Sequence, residues 1–124
     1  MTPVDWAKRP LQKYADFSGR APRPEYWWFI LAQVVVLLVA MLLDSVLGTG
    51  FGESGYGFIY MITALALLVP ALAVAVRRLH DTDRSGWWLL IGLIPLVGAI
   101  ILLVYFASEG NAGDNRFGAP PATS

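Results

Sequence analysis

The sequence predicts an all-α integral membrane protein, a three-span helical bundle with a short N-terminal interfacial helix. Three runs without a charged side chain carry this prediction, and they contain 18, 19 and 21 residues. At about 1.5 Å of rise per helical residue, such runs cover most or all of a hydrocarbon core roughly 30 Å thick. The chain is long enough for one membrane domain, residues 1–124. We expect the spans at about 26–47, 58–76 and 87–107.

The segment before the first span has the pattern of an amphipathic helix. On a helical wheel its apolar residues share one arc and its charged residues share the other, which is typical of a helix lying in the membrane interface. The alternative is a loosely ordered basic leader. Because Pro10 removes a backbone donor, we expect two short helical pieces or one helix that starts near Pro10. The apolar arc contains Val4, Trp6, Pro10, Leu11, Tyr14 and Phe17.

Glycine and proline mark the rest of the chain. Gly48 to Gly57 is rich in glycine and is expected to form a flexible external loop. The third run carries Gly92, Pro95 and Gly98 near its middle, which predicts a bend, with a re-entrant dip as the alternative. Residues 108–124 form a tail rich in glycine, proline and asparagine, which we expect to be little ordered.

The positions of the basic residues predict the topology. Five Lys or Arg precede the first span and three lie in an elbow at residues 77–86, against one in the tail and none in the glycine loop. The positive-inside rule then places the N-terminus and the elbow in the cytoplasm, and the glycine loop and the C-terminus outside. Aromatic residues suited to the interface fall on the cytoplasmic side, namely Tyr26, Trp27, Trp28, Trp87 and Trp88.

Three segments resemble the signature segments of a known family. They read F-S-G-R-A-P-R-P-E-Y-W at residues 17–27, R-R-L-H-D-T-D-R-S-G-W-W at 77–88 and G-D-N-R-F-G at 113–118. Together they resemble the domain of unknown function 805, and the likeness covers about residues 10 to 120. The resemblance implies a multi-span helical fold in the bacterial cytoplasmic (inner) membrane. It implies no established reaction, so function has to be argued from the residues.

The predicted topology brings two basic segments to one face of the membrane. On a continued helix Asp81 would pair with Arg77 or Arg84, and guanidinium groups suit phosphate. We therefore consider a binding face for an anionic lipid headgroup or a partner protein, against the alternative of an ion-pair cluster that only organises the bundle. The tail residues Asn115, Arg116, Phe117 and Gly118 form either a ligand or a turn, and the turn is favoured. The candidate binding residues are Arg20, Arg23, Glu25, Arg77, Arg78, His80, Asp81 and Arg84.

The composition argues against an enzyme. The chain has no cysteine and a single histidine, which excludes a thiolate nucleophile and a multi-histidine metal site within one chain. We expect no catalytic residue, metal or cofactor. Nine basic and nine acidic residues balance, so net charge says nothing about a nucleic-acid partner, and we expect none. The expected partners are membrane lipids, including anionic phospholipid, and a second copy or another membrane protein. The alternative function is a subunit of a transporter or channel-like assembly, because three helices cannot enclose a pore alone.

Overall fold

The computed structural model describes residues 2–52 and 56–121. The helices within these residues show that the fold is all-α, as predicted. Two of them, α2 and α3, are long and apolar enough to cross a membrane. In chain order the elements are α1 (Pro3–Gln12), α2 (Arg23–Leu47), α3 (Phe58–Asp81), a 3₁₀ helix (Gly86–Leu93) and α4 (Val97–Ala107).

Helix α1 begins earlier than the sequence suggested. The Asp5 N–H donates to the Thr2 hydroxyl over 3.2 Å, and the Thr2 N–H donates to the Asp5 carboxylate over 3.1 Å, which is a capping box. The prediction of a helix broken at Pro10 or beginning near it is wrong, because α1 is continuous from Pro3 to Gln12. Pro10 falls in the last turn and is buried together with Trp6, so packing there offsets the missing backbone hydrogen bond.

Helices α2 and α3 form an antiparallel pair that is fixed at both ends. At the loop end, the Asp44 carboxylate accepts hydrogen bonds of 2.9 Å from the N–H groups of Ile59 and Tyr60, the first turn of α3. Those N–H groups have no partner inside the helix, so the carboxylate caps α3 from α2. At the other end, Arg77 of α3 pairs with Glu25 of α2.

The third apolar run does not form one continuous span. The 3₁₀ helix ends at Leu93, and Leu96 has a φ of +64° in a γ-turn closed by a 2.7 Å hydrogen bond from Val97 N to Pro95 O. Helix α4 then runs for 11 residues, about 16 Å, which is roughly half of a hydrocarbon core. One continuous helix over residues 87–107 is therefore wrong, and a third helix long enough to cross a membrane is not confirmed among the described residues.

Gly98 shows why the run can fold back on itself. A Cβ added to Gly98 would lie 1.8 Å from the backbone oxygen of Ile91, so α4 touches the 3₁₀ helix backbone to backbone. Only glycine permits this approach. Pro95 at the bend cannot donate a backbone hydrogen bond, which stops a helix from continuing through it. The 3₁₀ helix and α4 are therefore two arms of a short apolar hairpin.

The tail returns to the elbow. Helix α3 continues through Arg77 to Asp81, beyond the predicted end of the second span, and Asn111 N donates to Asp81 O over 2.9 Å. Residues 108–121 make defined contacts although their composition predicts little order, while 122–124 lie outside the described residues. The tail up to residue 121 lies beside the elbow, at the end of the pair opposite the glycine loop. The structure thus disagrees with a C-terminus across the membrane from the elbow.

A proline inside α3 explains how the leader is attached. Pro70 has no N–H, so the carbonyl of Ala66 four residues earlier loses its helical donor. The hydroxyl of Tyr14, in the segment after α1, donates to that carbonyl. Because an unsatisfied buried carbonyl costs free energy, this side chain links the leader to α3 at the carbonyl in the helix interior that Pro70 leaves without a donor.

We predict that Tyr14→Phe destabilises the protein by about 1 to 2 kcal/mol, because it removes the hydroxyl and leaves the Ala66 carbonyl without a donor. The measurement is the free energy of unfolding in detergent. Tyr60→Phe is the matched control, since the Tyr60 hydroxyl has no hydrogen-bond partner among residues 2–52 and 56–121. Equal losses for the two variants would contradict the assignment.

Candidate functional site

The candidate site lies where three helix ends meet. The N-terminus of α2 and the C-termini of α3 and α4 come together with residues 16–22 and the tail, and we call this region the polar end. The last carbonyls of an α-helix have no partner within the helix, and a helix C-terminus carries partial negative charge. Two such C-termini side by side favour cations, and the polar end supplies buried arginines.

Asp81 is at the centre of the polar end. Its carboxylate accepts a 2.9 Å hydrogen bond from Arg20 Nε and a 2.7 Å hydrogen bond from Arg78 Nη1, and its side chain is 0% exposed. The expected pairing of Asp81 with Arg77 or Arg84 is wrong. Arg77 points to Glu25, and Arg84 lies beyond the end of α3, with its guanidinium 3.8 Å from the centre of the Tyr105 ring.

Arg78 connects α3 to the end of α4. Its Nε donates to Phe106 O over 2.9 Å, its Nη1 donates to Ala21 O over 3.2 Å, and its Nη2 donates to Ser108 O. Two of these acceptors are carbonyls at the C-terminus of α4. Arg78 therefore holds the returning arm of the hairpin against α3 while it neutralises Asp81.

Arg20 holds the tail. Its Nη1 donates to the carbonyls of Gly113 and Gly118 over 2.8 and 3.2 Å, and its Nη2 donates to Asn111 O over 2.6 Å. With the bonds to the Asp81 carboxylate and the Asp81 backbone oxygen, all three guanidinium nitrogens are engaged. The tail also approaches closely, because a Cβ on Gly110 would lie 2.0 Å from the Asp81 carboxylate.

A second ion pair links α2 to α3 beside the first. Arg77 Nη1 donates to the Glu25 carboxylate, and Arg77 Nε donates to Asp16 O over 3.0 Å. Arg9 of α1 approaches the other Glu25 oxygen at 3.7 Å, so Glu25 also orients the leader helix. Arg77 Nη2 is buried and has no hydrogen-bond partner within the described part of the chain.

His80 lies between residues 16–22 and the tail. Its Nδ1 is 2.8 Å from Gly19 O, and its ring stacks on Phe117 at 3.9 Å between centroids. The amide of Asn115 donates to His80 O over 2.9 Å. The segment from Asn115 to Gly118 is a turn closed by two backbone hydrogen bonds of 3.0 and 3.1 Å, so these tail residues serve as a structural clasp on the end of α3.

Arg116 and Asp83 form an exposed pair next to this clasp. The Arg116 backbone N–H donates to the Asp83 carboxylate over 3.1 Å, and the Arg116 guanidinium lies 3.2 Å from it. The backbone hydrogen bond from Arg116 is the largest cause that holds the pKa of Asp83 below its usual value, and the contact with the Arg116 side chain adds to it. Both side chains remain substantially exposed, so solvent screens the attraction.

The predicted interfacial aromatics have different roles. Tyr26 is buried between the rings of Trp27 and Phe106, and Trp27 Nε1 donates to Phe106 O over 3.3 Å. These two residues help to hold α4. Trp87 is 78% exposed, Trp28 is also exposed, and Trp88 packs edge-on against Tyr105. All five lie at the polar end, in the first turns of α2 and of the 3₁₀ helix.

The arrangement favours a structural use of the buried arginines. The guanidinium nitrogens of Arg20 and Arg78 already bind carboxylate or carbonyl oxygens, so little donor capacity is left there for a ligand. Arg23 is partly exposed and lies 3.4 Å from Ala107 O and 3.7 Å from Glu109. The basic side chains outside the buried cluster form a rim, which consists of Lys8, Arg9, Lys13, Arg23, Arg84 and Arg116.

Sequence reasoning missed the backbone acceptors. Backbone carbonyls bind the arginines and the histidine, and since every residue type has such a carbonyl, the sequence does not reveal which of them act as acceptors. These carbonyls belong to Gly19, Ala21, Asn111 and Gly113. One signal was available, since glycine recurs in the first and third signature segments, and glycine permits close approach of the backbone. Asp16 and Arg9 were also missed because they lie outside those charged segments.

These features define a class: a small all-helical protein with two helices able to cross a membrane and a buried polar cluster at one end. The chain belongs to the family described as "Protein of unknown function (DUF805)", whose model matches residues 14–119. This finding confirms the resemblance seen in the sequence.

Two relatives from Escherichia coli (strain K12) align over nearly the whole chain. Inner membrane protein YhaH is 44% identical over 118 residues, covering 95% of this chain and 97% of YhaH. Inner membrane protein YhaI is 42% identical over 118 residues, covering 95% and 96%. No solved structure matches the chain. The likeness therefore extends across the leader, the elbow and the tail together.

We predict that Asp81→Ala destabilises the protein by about 3 to 5 kcal/mol, because it leaves Arg20 and Arg78 buried without their carboxylate. Asp83→Ala removes an exposed pair and is expected to cost about 1 kcal/mol or less. The measurement is the free energy of unfolding of both variants in the same detergent. Losses of equal size would show that Asp81 is not the centre of the cluster.

Proposed function

We propose that the protein is a non-enzymatic protein of the bacterial inner membrane with both termini in the cytoplasm. The names of the relatives support the inner membrane. The observation that carries the topology is the distribution of basic residues. All nine Lys and Arg lie in the leader, the elbow and the tail, and none lies in the glycine loop. The tail contacts the elbow, so the count becomes nine against none, which by the positive-inside rule favours a cytoplasmic polar end.

A reporter fused after Ser124 tests this topology. We expect a fluorescent protein that matures only in the cytoplasm to be active, and alkaline phosphatase, which needs export, to be inactive. A fusion within the glycine loop after Gly52 should give the opposite pattern. The reverse result at Ser124 would mean that residues 87–107 cross the membrane and that the tail contacts do not form.

The second part of the proposal is that the rim of the polar end binds anionic phospholipid headgroups. Seven acidic residues accompany the nine basic ones in the leader, the elbow and the tail, which leaves an excess of two positive charges. Three buried arginines face two buried acids, so one excess charge belongs to the buried cluster, and outside it six basic residues face five acidic ones, an excess of one. Each basic group near an anionic leaflet contributes roughly 1 kcal/mol of attraction. Exposed indoles at the same level suit the headgroup region.

This division of roles refines the binding face expected from the sequence. The buried residues Arg20, Arg77 and Arg78 organise the fold, and Arg77 shares Glu25 with the leader helix. The rim residues Lys8 and Lys13 have no ion-pair partner among the described residues, which makes them the best candidates for headgroup contacts. Arg23, Arg84 and Arg116 each already contact the protein.

We predict that the protein binds phosphatidylglycerol more tightly than phosphatidylcholine, and that rising salt reduces the difference by screening. The measurement is quenching of tryptophan fluorescence by brominated lipids of each type in mixed vesicles. The double substitution Lys8→Gln with Lys13→Gln should lower the preference by about thirtyfold, since each of the two charges contributes roughly 1 kcal/mol. The matched control, Lys8→Arg with Lys13→Arg, should keep it.

Two outcomes would count against the proposal. Equal quenching by both lipids at low salt would remove the headgroup function. Specific permeation of a solute through the same vesicles would support the alternative of a transport-associated subunit, in which the apolar hairpin would face a partner.

A further inference from the structure

An apolar groove lies between α1 and α2. Its volume is about 330 Å³, and it opens on the side of the molecule that faces lipid if α2 crosses the membrane. Small side chains keep it open, with Ala7 on α1 and Ala32 on α2. Val4, Trp28, Val35 and Val36 supply most of the remaining apolar lining.

One end of this groove is basic. The contact between Arg9 and Glu25 fixes the C-terminal half of α1 at the polar end, and Lys8 comes directly before Arg9. Lys8 is exposed and lies one helical turn after Val4, a lining residue, about 40° from it around the axis of α1, which puts Lys8 at the border of the groove. Asp5 lies one turn before Lys8 and attracts it electrostatically, but its carboxylate is also bound in the helix cap, and Asp5 is roughly 160° from Ala7 around the axis of α1.

Trp28 provides a polar atom at the same place. Its indole lines the groove and is partly exposed, and its N–H donates no hydrogen bond to any residue in 2–52 or 56–121. The neighbouring Trp27 differs, because its N–H is bound to Phe106 O. Of these two adjacent tryptophans, Trp27 binds the end of α4, whereas Trp28 lines the groove and has an indole N–H without an acceptor among the described residues.

We infer that the groove binds one acyl chain of an anionic phospholipid, with the headgroup phosphate contacting Lys8 and the N–H of Trp28. A groove that is basic at the headgroup level and apolar along α2 matches the two halves of such a lipid in charge and polarity. The inference rests on the proposed headgroup function and gives it a location, with the acyl chain beside Ala32, Val35 and Val36.

Photoactivatable lipids test this location in the full-length protein. Nanodiscs of phosphatidylcholine receive a small fraction of phosphatidylglycerol that carries a diazirine on one acyl chain, or the same fraction of diazirine phosphatidylcholine, and labelled peptides are mapped by mass spectrometry. We expect the phosphatidylglycerol probe to label the groove residues of α2 about fivefold more than the phosphatidylcholine probe, which corresponds to one basic group. Lys8→Gln should abolish that difference, and Lys13→Gln should not.

Filling the groove provides the second arm of the test. Ala32→Trp, or Val36→Trp if that variant does not fold, should reduce labelling of the groove about tenfold, whereas Leu38→Trp on an exposed position of α2 outside it should not. Labelling spread evenly over α2 and α3, or equal labelling of the groove by both probes, would overturn the inference. If the quenching preference for phosphatidylglycerol persists in that case, only the location fails. Loss of the preference itself would remove the headgroup function.

Discussion

The fold depends on one buried carboxylate between two buried guanidinium groups. Asp81 binds Arg20 and Arg78, and all three side chains are almost fully withdrawn from solvent. Removing ions from water costs several kcal/mol each unless their remaining hydrogen-bonding groups are satisfied. The structure meets that requirement with backbone carbonyls from three separate segments: the chain before α2, the end of α4 and the tail. The same contacts that make the charges tolerable therefore bring these segments together.

This requirement explains why the last apolar run folds back. Arg78 extends from the end of α3 and binds carbonyls at the end of α4, so the C-terminus of α4 has to lie beside the C-terminus of α3. The run also starts beside α3, directly after the elbow, and a single straight helix cannot begin and end in one place. A γ-turn at Leu96 and the close backbone contact at Gly98 supply the reversal. The strain of a positive φ, of order 1–3 kcal/mol, is offset by the contacts at the base of the hairpin.

Much of this arrangement could be predicted from the sequence. Hydropathy located α2 and α3, because each contains a long uncharged run without glycine, and charge asymmetry brought the leader to the elbow. Hydropathy could not distinguish a crossing helix from a hairpin in residues 87–107, since both bury the same apolar side chains in lipid. Spacing rules allow Asp81 to pair with Arg77 (i, i+4) or with Arg78 (i, i+3), and because these two arginines differ by 100° around the helix, only the packing of α2 decides which of them faces Glu25.

The contacts of the tail also could not be predicted from the sequence. Its composition is that of a disordered segment, with glycine, proline and asparagine and few apolar residues, and composition measures how much apolar surface a segment can bury. The tail is held instead by hydrogen bonds from buried cations, which need oxygen acceptors. A flexible glycine-rich chain can supply these acceptors from its backbone. A cation buried in this way is committed to the fold, whereas a cation on the rim keeps its donors. Within the polar end, burial rather than charge thus separates the residues that hold the protein together from those that remain exposed on the rim.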